Sequence, residues 1–449
     1  MEIFIKAAQL ILSLSILIVL HEMGHFVPAK LFKTRVEKFY LFFNPWFSLF
    51  KVKRGETEYG LGWLPLGGYV KISGMVDESM DKEQMNQPPQ PWEFRSKPAW
   101  QRLIIMIGGV TVNVILGFLI YMMVVFVWGK DNIHPKNAKY GIVCDSVLMK
   151  HGLHNGDMLI SVDGEVPEDL MTVNKMILLH GKRDIKVKRD GKDITVKLPQ
   201  DIDYKMVAAG AKTALAPRVP TVVDSVIENS PAAKAGLTKG DSITRINGMD
   251  AGMYDLFTAN MHELASHQIA HALEKEYAGI QLEYVRNGEE KSVVVKTDKD
   301  GRVGFFNQDL DDALIVDHVS YGFFASIPKG LSLGGETLKN YVISLKFLFT
   351  KAGAKQIGGF GAIGGLFSPT WDWHSFWMLT AFLSMVLAFM NMLPIPALDG
   401  GHVMFLVWEM ITGRAPHQKV LEYAQMVGMV LLLGLLLYAN GNDIMKLFS

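Results

Sequence analysis

Four strongly apolar stretches divide the chain, and each is a candidate for a helix that crosses a membrane. They cover residues 3–25, 103–128, 376–393 and 426–439. A helix needs about 20 mostly apolar residues to cross the hydrocarbon core, so the second stretch is ample, the third is adequate and the other two are marginal. The pattern predicts a polytopic α-helical membrane protein with about four spanning helices. A buried core helix is the alternative for such a stretch.

Between the second and third stretches the composition is largely that of a soluble protein, and one pattern occurs twice. Residues 152–164 and 236–248 each combine Gly-Leu, Gly-Asp, an alternating strand and a final Asp-Gly or Asn-Gly turn. Residues 230–236 predict a short helix before the second copy, and the first copy lacks this signal. The copies lie about 84 residues apart, which indicates two tandem domains. They resemble PDZ domains, which bind an extended peptide at a sheet edge; folded spacers that only block access are the alternative.

Composition and charge narrow the class of protein. There are 45 Lys+Arg and 45 Asp+Glu, so the chain is not a strongly basic nucleic-acid-binding protein. Hydrophobic residues make up 49% and the mean hydropathy is +0.18, too apolar for a disordered chain. The single cysteine, Cys144, excludes an intrachain disulfide framework and a Cys-rich metal cluster. Basic residues outnumber acidic ones by 12 to 8 over residues 30–102, which predicts that this stretch is cytoplasmic and that the repeats and both termini lie outside.

The first apolar stretch ends in an H-E-x-x-H motif, His21-Glu22-Met23-Gly24-His25. Residues four apart share one face of a helix, so both imidazoles can bind one zinc ion, with the glutamate as general base on a zinc-bound water. Ionisable groups are costly in a membrane segment, which favours a functional role. The alternative is a pair of helix-end histidines that bind water or backbone groups.

A catalytic zinc site has three protein ligands, and no third histidine closely follows His25. The best candidate for the third ligand is Asp399, the first acidic residue after the third apolar stretch. The charge pattern places the ends of the first and third stretches at the same membrane face. On residue type alone His402 is a rival ligand, and Asp399 could instead cap the next helix. Pro394 and Pro396 break the helix at this point.

These motifs resemble those of the site-2 protease family of intramembrane metalloproteases. The resemblance covers the H-E-x-x-H motif, the pattern N-x-x-P-x-P-x-L-D-G at residues 391–400 and the PDZ-like repeats between them. It implies a bound zinc ion, Zn²⁺, and a set of site residues, with His21, His25 and Asp399 as ligands, Glu22 as general base and Asn391 beside the substrate backbone or the developing oxyanion. His402 is then not a ligand.

The resemblance also implies an activity and a setting. The substrates would be single-span membrane proteins cut within or next to the membrane segment, such as anti-sigma factors in a stress response or signal-peptide remnants. A site-1 type protease would trim them first. The enzyme would lie in the bacterial inner membrane, with the repeats periplasmic and the active site towards the cytoplasm. The alternatives are a non-catalytic membrane scaffold that binds peptides, and a membrane-anchored zincin that acts on soluble chains.

Residues 60–72 form a short, glycine-containing apolar run that resembles the membrane-reentrant β-hairpin of this family. An edge strand at residues 67–71 could bind an unwound substrate by strand addition. The predicted substrate-binding residues are Gly67, Gly68, Tyr69, Pro394 and Pro396. A hairpin on the cytoplasmic surface is the alternative. The Gly-Pro-Ile segment common in the family is absent, because residues 358–365 contain no proline.

The predicted organisation has five parts. Residues 1–128 carry the H-E-x-x-H helix, the reentrant β-hairpin and the second span, and residues 129–205 and 206–310 are two PDZ-like α+β domains. Residues 311–375 form an amphipathic linker, with a membrane-hugging helix over 338–349. Residues 376–449 form the C-terminal membrane half.

Overall fold

The computed structural model describes residues 2–65, 67–75, 87–211, 213–271, 279–298 and 301–447. Leu66, in the predicted hairpin, lies outside these ranges. The chain divides into two compact units. The membrane unit comprises the described residues up to Gly129 and those from Ser320 onward, and the inserted unit is Lys130–Val319.

The membrane unit has six long helices among its described residues. They are α1 to α6, with bounds Glu2–Leu31, Ala99–Trp128, Phe323–Ser344, Trp373–Met392, Asp399–Thr412 and Gln418–Leu447. Of these, α1, α2, α4 and α6 are long and apolar enough to cross a membrane, which confirms the prediction of a polytopic membrane protein. The last span is longer than predicted, at 30 residues, because the polar residues at its ends continue the helix. Two short helices, Lys351–Gln356 and Phe360–Gly365, precede α4.

Helix α1 does not stop at the H-E-x-x-H motif but continues to Leu31, with Pro28 inside it. Proline has no N–H group to donate to the carbonyl four residues earlier, which here belongs to Gly24. Helix α2 packs against that point through Gly108, so closely that a side chain at either glycine would overlap the other's backbone. The motif therefore lies within a continuous helix, at its crossing with α2.

A four-stranded sheet follows α1, with strands β1 (Val36–Leu41), β2 (Phe50–Arg54), β3 (Thr57–Leu61) and β4 (Tyr69–Ile72). The strand order is β2-β3-β1-β4. The prediction of a β-hairpin over residues 60–72 is wrong, because β3 pairs in parallel with β1, and β4 pairs antiparallel with the other side of β1. The connection between β3 and β4 includes Pro65 and is too long for a tight turn, so the chain passes around the end of β1. Strand β4 is consequently an edge strand.

Helix α3 replaces the shorter amphipathic helix predicted over residues 338–349. It begins at Phe323 and ends at Ser344, and a 3-10 helix, Leu345–Phe349, continues from it. The early start has a packing reason. Gly330 and Gly334 lie directly against residues of α2, which leaves no room for a side chain at either position.

Short strands and short helices make up most of the inserted unit, together with one long helix, Tyr254–His271. The strands β5 to β17 are Lys130–Asn132, Ile142–Cys144, Met158–Val162, Asp184–Arg189, Lys192–Lys197, Leu215–Pro217, Val223–Val226, Ser242–Ile246, Met249–Asp250, Ile280–Arg286, Glu289–Val295, Phe305–Asn307 and Asp317–Val319. The larger sheets have the orders β7-β8-β9 and β13-β12-β14-β15. Each contains one copy of the sequence repeat, and each copy has its own apolar core.

The two copies share an ion pair with a buried aspartate, which the repeat pattern did not reveal. In the first copy Arg189 donates hydrogen bonds of 2.6 and 2.7 Å to Asp157. In the second copy Arg286 does the same to Asp241, at 2.6 and 2.7 Å. Each arginine also donates to the carbonyl of the glycine that precedes the Gly-Asp turn. The equivalence of these contacts shows that the copies share local structure as well as sequence.

The first copy also has the short helix that its sequence was predicted to lack. Ser146–Met149 is helical, and the Asp145 side chain accepts a hydrogen bond from the backbone at its first turn. In the second copy Pro231–Lys234 occupies the equivalent place, with Ser230 as the cap. An aspartate cap supplies the same acceptor as a serine cap, so the helix forms without the Ser-Pro sequence.

Candidate metal centre

Three potential ligand atoms converge inside the membrane unit. The Nε2 atoms of His21 and His25 lie 3.3 Å apart, and each lies 3.3 Å from Oδ2 of Asp399. Both histidines are buried, and the aspartate side chain is 17% exposed. Within the described part of the chain, these three residues form the one group of His, Cys, Asp or Glu side chains that could hold a metal ion.

The geometry of this triangle fits zinc. Zinc binds imidazole nitrogen at about 2.0–2.1 Å, and two ligands of a tetrahedron with such bonds lie about 3.3–3.4 Å apart. All three observed separations are 3.3 Å. Oδ2 of Asp399 is also buried with no hydrogen-bond partner among the described residues, as expected for an atom that binds a metal. Three protein ligands leave a fourth position for water or substrate, which is the pattern of a catalytic site.

Helices α1 and α2 together position the two histidines. Because they are four residues apart on α1, their rings lie on the same helix face. Nδ1 of His25 is hydrogen-bonded to the backbone carbonyl of Ile105 in α2 at 2.8 Å, which directs Nε2 towards the triangle. Gly109 of α2 lies against both rings, and a Cβ atom at this position would be only 2.6 Å from Cε1 of His21.

A break between α4 and α5 brings Asp399 to the histidines. Helix α4 ends at Met392, and Asp399 is the first residue of α5 rather than its cap. In the break, Ala397 has a left-handed backbone with φ of 76°, a conformation that is unfavourable for a residue other than glycine. Its N–H donates a 3.2 Å hydrogen bond to Gln425 of α6, which holds the strained backbone in place.

A cavity of about 270 Å³ opens onto the triangle and contains the other predicted catalytic groups. Glu22 lines it, together with Val70 of β4. Asn391 also lines the cavity, with Nδ2 3.4 Å from Nε2 of His21. His402 is a further lining residue, but it is not part of the triangle.

The predicted substrate-binding residues divide into two groups. Gly67, Gly68 and Tyr69 line the cavity, at and just before the start of edge strand β4. Pro394 and Pro396 are not among the lining residues, and their role in substrate binding stays a prediction. The carbonyl of Pro396 instead lies against Gly428 of α6, where a side chain would not fit. The rigid backbone of proline thus shapes the break that presents Asp399.

Sequence reasoning missed the contribution of α2 to this site. Gly108 and Gly109 allow α2 to approach α1 at the motif, and Asn113, one turn further along, places its side-chain amide 3.1 Å from Nδ1 of His21. The available signal was Gly-Gly-x-x-x-Asn in the middle of the second apolar stretch. Small residues and a lone amide in a spanning helix are typical of close helix contacts.

Comparison with known proteins gives matches along almost the whole chain. The profile of peptidase family M50 matches residues 9–435. The regulator of sigma E protease of Haemophilus influenzae is 26% identical over 452 residues, which cover 97% of this chain and 98% of that protein. Protease RseP of Yersinia pestis is 26% identical over 472 residues, with 100% of both chains covered. A candidate zinc metalloprotease of Neisseria meningitidis is 28% identical over 467 residues, 98% of each chain. These findings confirm the resemblance drawn from the motifs and extend it to RseP.

Proposed function

Because the chain belongs to peptidase family M50, we propose that it is an intramembrane zinc metalloprotease of the site-2 type. It hydrolyses peptide bonds within or next to the membrane segment of single-span membrane proteins. The observation that carries this proposal is the position of the triangle and of Glu22. They lie where two helices capable of spanning a membrane, α1 and α2, cross, beside the end of a third, α4.

His21, His25 and Asp399 would hold the zinc ion, which when bound supplies an activated water and polarises the scissile carbonyl. Glu22 takes the proton from the attacking water and later delivers it to the leaving nitrogen, as a general base and then a general acid. Asn391 directs an amide N–H into the same space, where it can donate to the developing oxyanion. Each of these side chains lines the cavity.

The edge strand β4 offers a way to bind the substrate backbone. A helical membrane segment must unwind before hydrolysis, and its exposed N–H and C=O groups then need partners that lipid cannot supply. Residues 67–72 line the cavity, and β4 pairs with β1 on one side and with no other described strand. An extended segment added to the other side of β4 would therefore pass beside the triangle.

The inserted unit supports the wider proposal. Two copies of one local structure, each with a sheet and a short capped helix, are consistent with tandem PDZ-like domains. We propose that they lie on the periplasmic side of a bacterial inner membrane and restrict access of untrimmed substrates. The substrates are then products of an upstream trimming protease, such as shortened anti-sigma factors, or signal-peptide remnants.

Cleavage of a tagged single-span substrate in membranes tests the proposal, with product ends mapped by mass spectrometry. Glu22→Gln should retain zinc and lose cleavage, because the amide keeps the shape of the side chain but cannot accept the proton. Asp399→Asn should lose cleavage and most of the zinc. His25→Gln and His402→Gln form a matched pair, since both histidines line the cavity and only the first belongs to the triangle. Of this pair, only His25→Gln should release zinc.

Three results would contradict the proposal. A cut in a soluble flank would favour a membrane-anchored zincin that acts on soluble chains. Equal behaviour of the wild type, Glu22→Gln and Asp399→Asn would favour a non-catalytic scaffold. Zinc loss in His402→Gln with retention in His25→Gln would show that the ligand set is different.

A further inference from the structure

Asn113 is completely buried in α2 and lies behind one of the triangle's histidines. Its Nδ2 is 3.1 Å from Nδ1 of His21, on the side of the ring opposite the triangle. Its Oδ1 is buried without a hydrogen-bond partner among the described residues. Its own main-chain carbonyl accepts a 2.8 Å hydrogen bond from Ser384 of α4. The amide therefore lies against the ring, with its acceptor atom unused.

The chemistry of a metal-binding imidazole decides which amide atom should face the ring. His21 directs Nε2 into the triangle, so Nε2 must offer a lone pair and Nδ1 must carry the proton. A protonated Nδ1 is a donor and needs an acceptor, yet Nδ2 of Asn113 is also a donor. Rotating the amide by 180° exchanges two groups of the same shape. It brings the unpaired Oδ1 into contact with the Nδ1–H group, so that this donor gains the acceptor it needs.

The second histidine shows the same arrangement independently. Nδ1 of His25 is 2.8 Å from the main-chain carbonyl of Ile105, which can only accept a hydrogen bond. Ile105 and Asn113 both belong to α2, two turns apart, as His21 and His25 both belong to α1. Helix α2 thus presents one acceptor to each ring, a backbone carbonyl to one and a side-chain amide to the other.

We propose that Asn113 is a positioning residue for the metal centre. Its side-chain oxygen accepts the Nδ1–H of His21, which fixes the tautomer and the orientation of that ring so that Nε2 faces the metal. The inference rests on the zinc centre of the proposed function. It goes beyond that function because α2 contributes no ligand, yet it would orient the ligand His21.

The competing explanation is that Asn113 only joins helices. Buried polar contacts between spanning helices do exist nearby, since Oγ1 of Thr380 donates a 3.0 Å hydrogen bond to Oγ of Ser13 in α1. Thr380→Val removes this contact with almost no change in shape and touches no ligand. It is therefore the matched control for Asn113→Leu, which removes the amide and keeps the branching of the side chain at Cγ.

The experiment measures the zinc dissociation constant of the full chain in detergent by competition with a chelator, and the visible absorption of the Co²⁺-substituted protein. Asn113→Leu should weaken zinc binding by about 10- to 100-fold, the usual effect of removing the hydrogen-bond partner of a ligand. Its Co²⁺ spectrum should change because the ring reorients. Asn113→Asp, which keeps an acceptor and has no N–H donor, should bind zinc nearly as the wild type does. Thr380→Val should leave both measurements unchanged.

Several outcomes would overturn the inference. They are wild-type affinity and spectrum in Asn113→Leu, an equal loss in Thr380→Val, or a loss in Asn113→Asp as large as in Asn113→Leu. If Asn113→Leu does not fold, Asn113→Ala provides the same comparison without an added apolar side chain. Failure of the wild type itself to bind zinc would refute the proposed function, and is distinguished from these outcomes by the same titration.

Discussion

Gly109 should be indispensable to the metal centre although it carries no functional group. A Cβ atom at this position would lie 2.6 Å from Cε1 of His21 and also overlap Nε2 of His25. Carbon atoms in contact are normally about 3.5–4.0 Å apart, so Gly109→Ala demands a shift of roughly 1 Å from a ring or from a helix. A zinc site holds its ligand distances to within about 0.2 Å. The methyl group is therefore expected to break the triangle.

Gly117 provides the matched control on the same helix. A Cβ atom there would lie 2.7 Å from Sδ and 2.9 Å from Cγ of Met385, an unbranched side chain that can adopt another rotamer. Replacing glycine by alanine inside a helix stabilises it by up to about 1 kcal/mol when the site has room. Gly117→Ala should therefore fold and bind zinc as the wild type does.

The assay is zinc content after purification in detergent, together with cleavage of a single-span substrate. Gly109→Ala should contain little zinc and show no cleavage, while size-exclusion chromatography and circular dichroism show a folded helical protein. A normal zinc content in Gly109→Ala would refute the reasoning, because α1 and α2 would then have separated without cost to the site. Equal zinc loss in both variants would show that any added methyl group on α2 disturbs the bundle.

The inserted unit should lose stability in acid. Burial raises the pKa of the Asp157 and Asp241 carboxyls. The hydrogen bonds and charges of Arg189 and Arg286, together with backbone N–H donors, outweigh this effect, so both pKa values lie below the ordinary range. The stability that they contribute is present above about pH 4 and is lost as the pH falls through the folded-state pKa values. The protection of this unit against hydrogen exchange, relative to an unfolded chain at the same pH, should fall below about pH 4. Asp241→Asn should cost about 2 kcal/mol of unfolding free energy at pH 7 and weaken the acid dependence. An unchanged acid dependence in this variant would contradict the explanation. Burial, together with the charge of Asp157, raises the pKa of the Cys144 thiol to about 12, so a maleimide at pH 8 should label it only after denaturation; rapid labelling of the folded chain would contradict this.

Local pattern determined a large part of this protein. The spacing of His21 and His25 alone places two imidazoles on one helix face, and the structure has that geometry because a helix repeats every 3.6 residues. The four spans follow from the length of the apolar stretches, and the two repeats from their Gly-Asp turns. The sequence predictions failed where different sequences can form the same local structure. The short helix of the first copy is an example, because Asp145 caps it in place of a Ser-Pro pair.

Which strands and helices pack against each other was decided by the tertiary structure alone. The sheet order was not predictable, since residues 60–72 could as well pair with themselves as flank β1, and the choice depends on where the chain has room to pass. The roles of Gly109 and Asn113 depend on where α2 crosses α1, which is fixed by close packing of whole helix surfaces. Sequence could name Asp399 as a candidate ligand, but its 3.3 Å approach to both histidines required the break between α4 and α5. Periodicity is a property of neighbouring residues, whereas a site of this kind depends on the shapes of segments that are distant in the chain and meet only on folding.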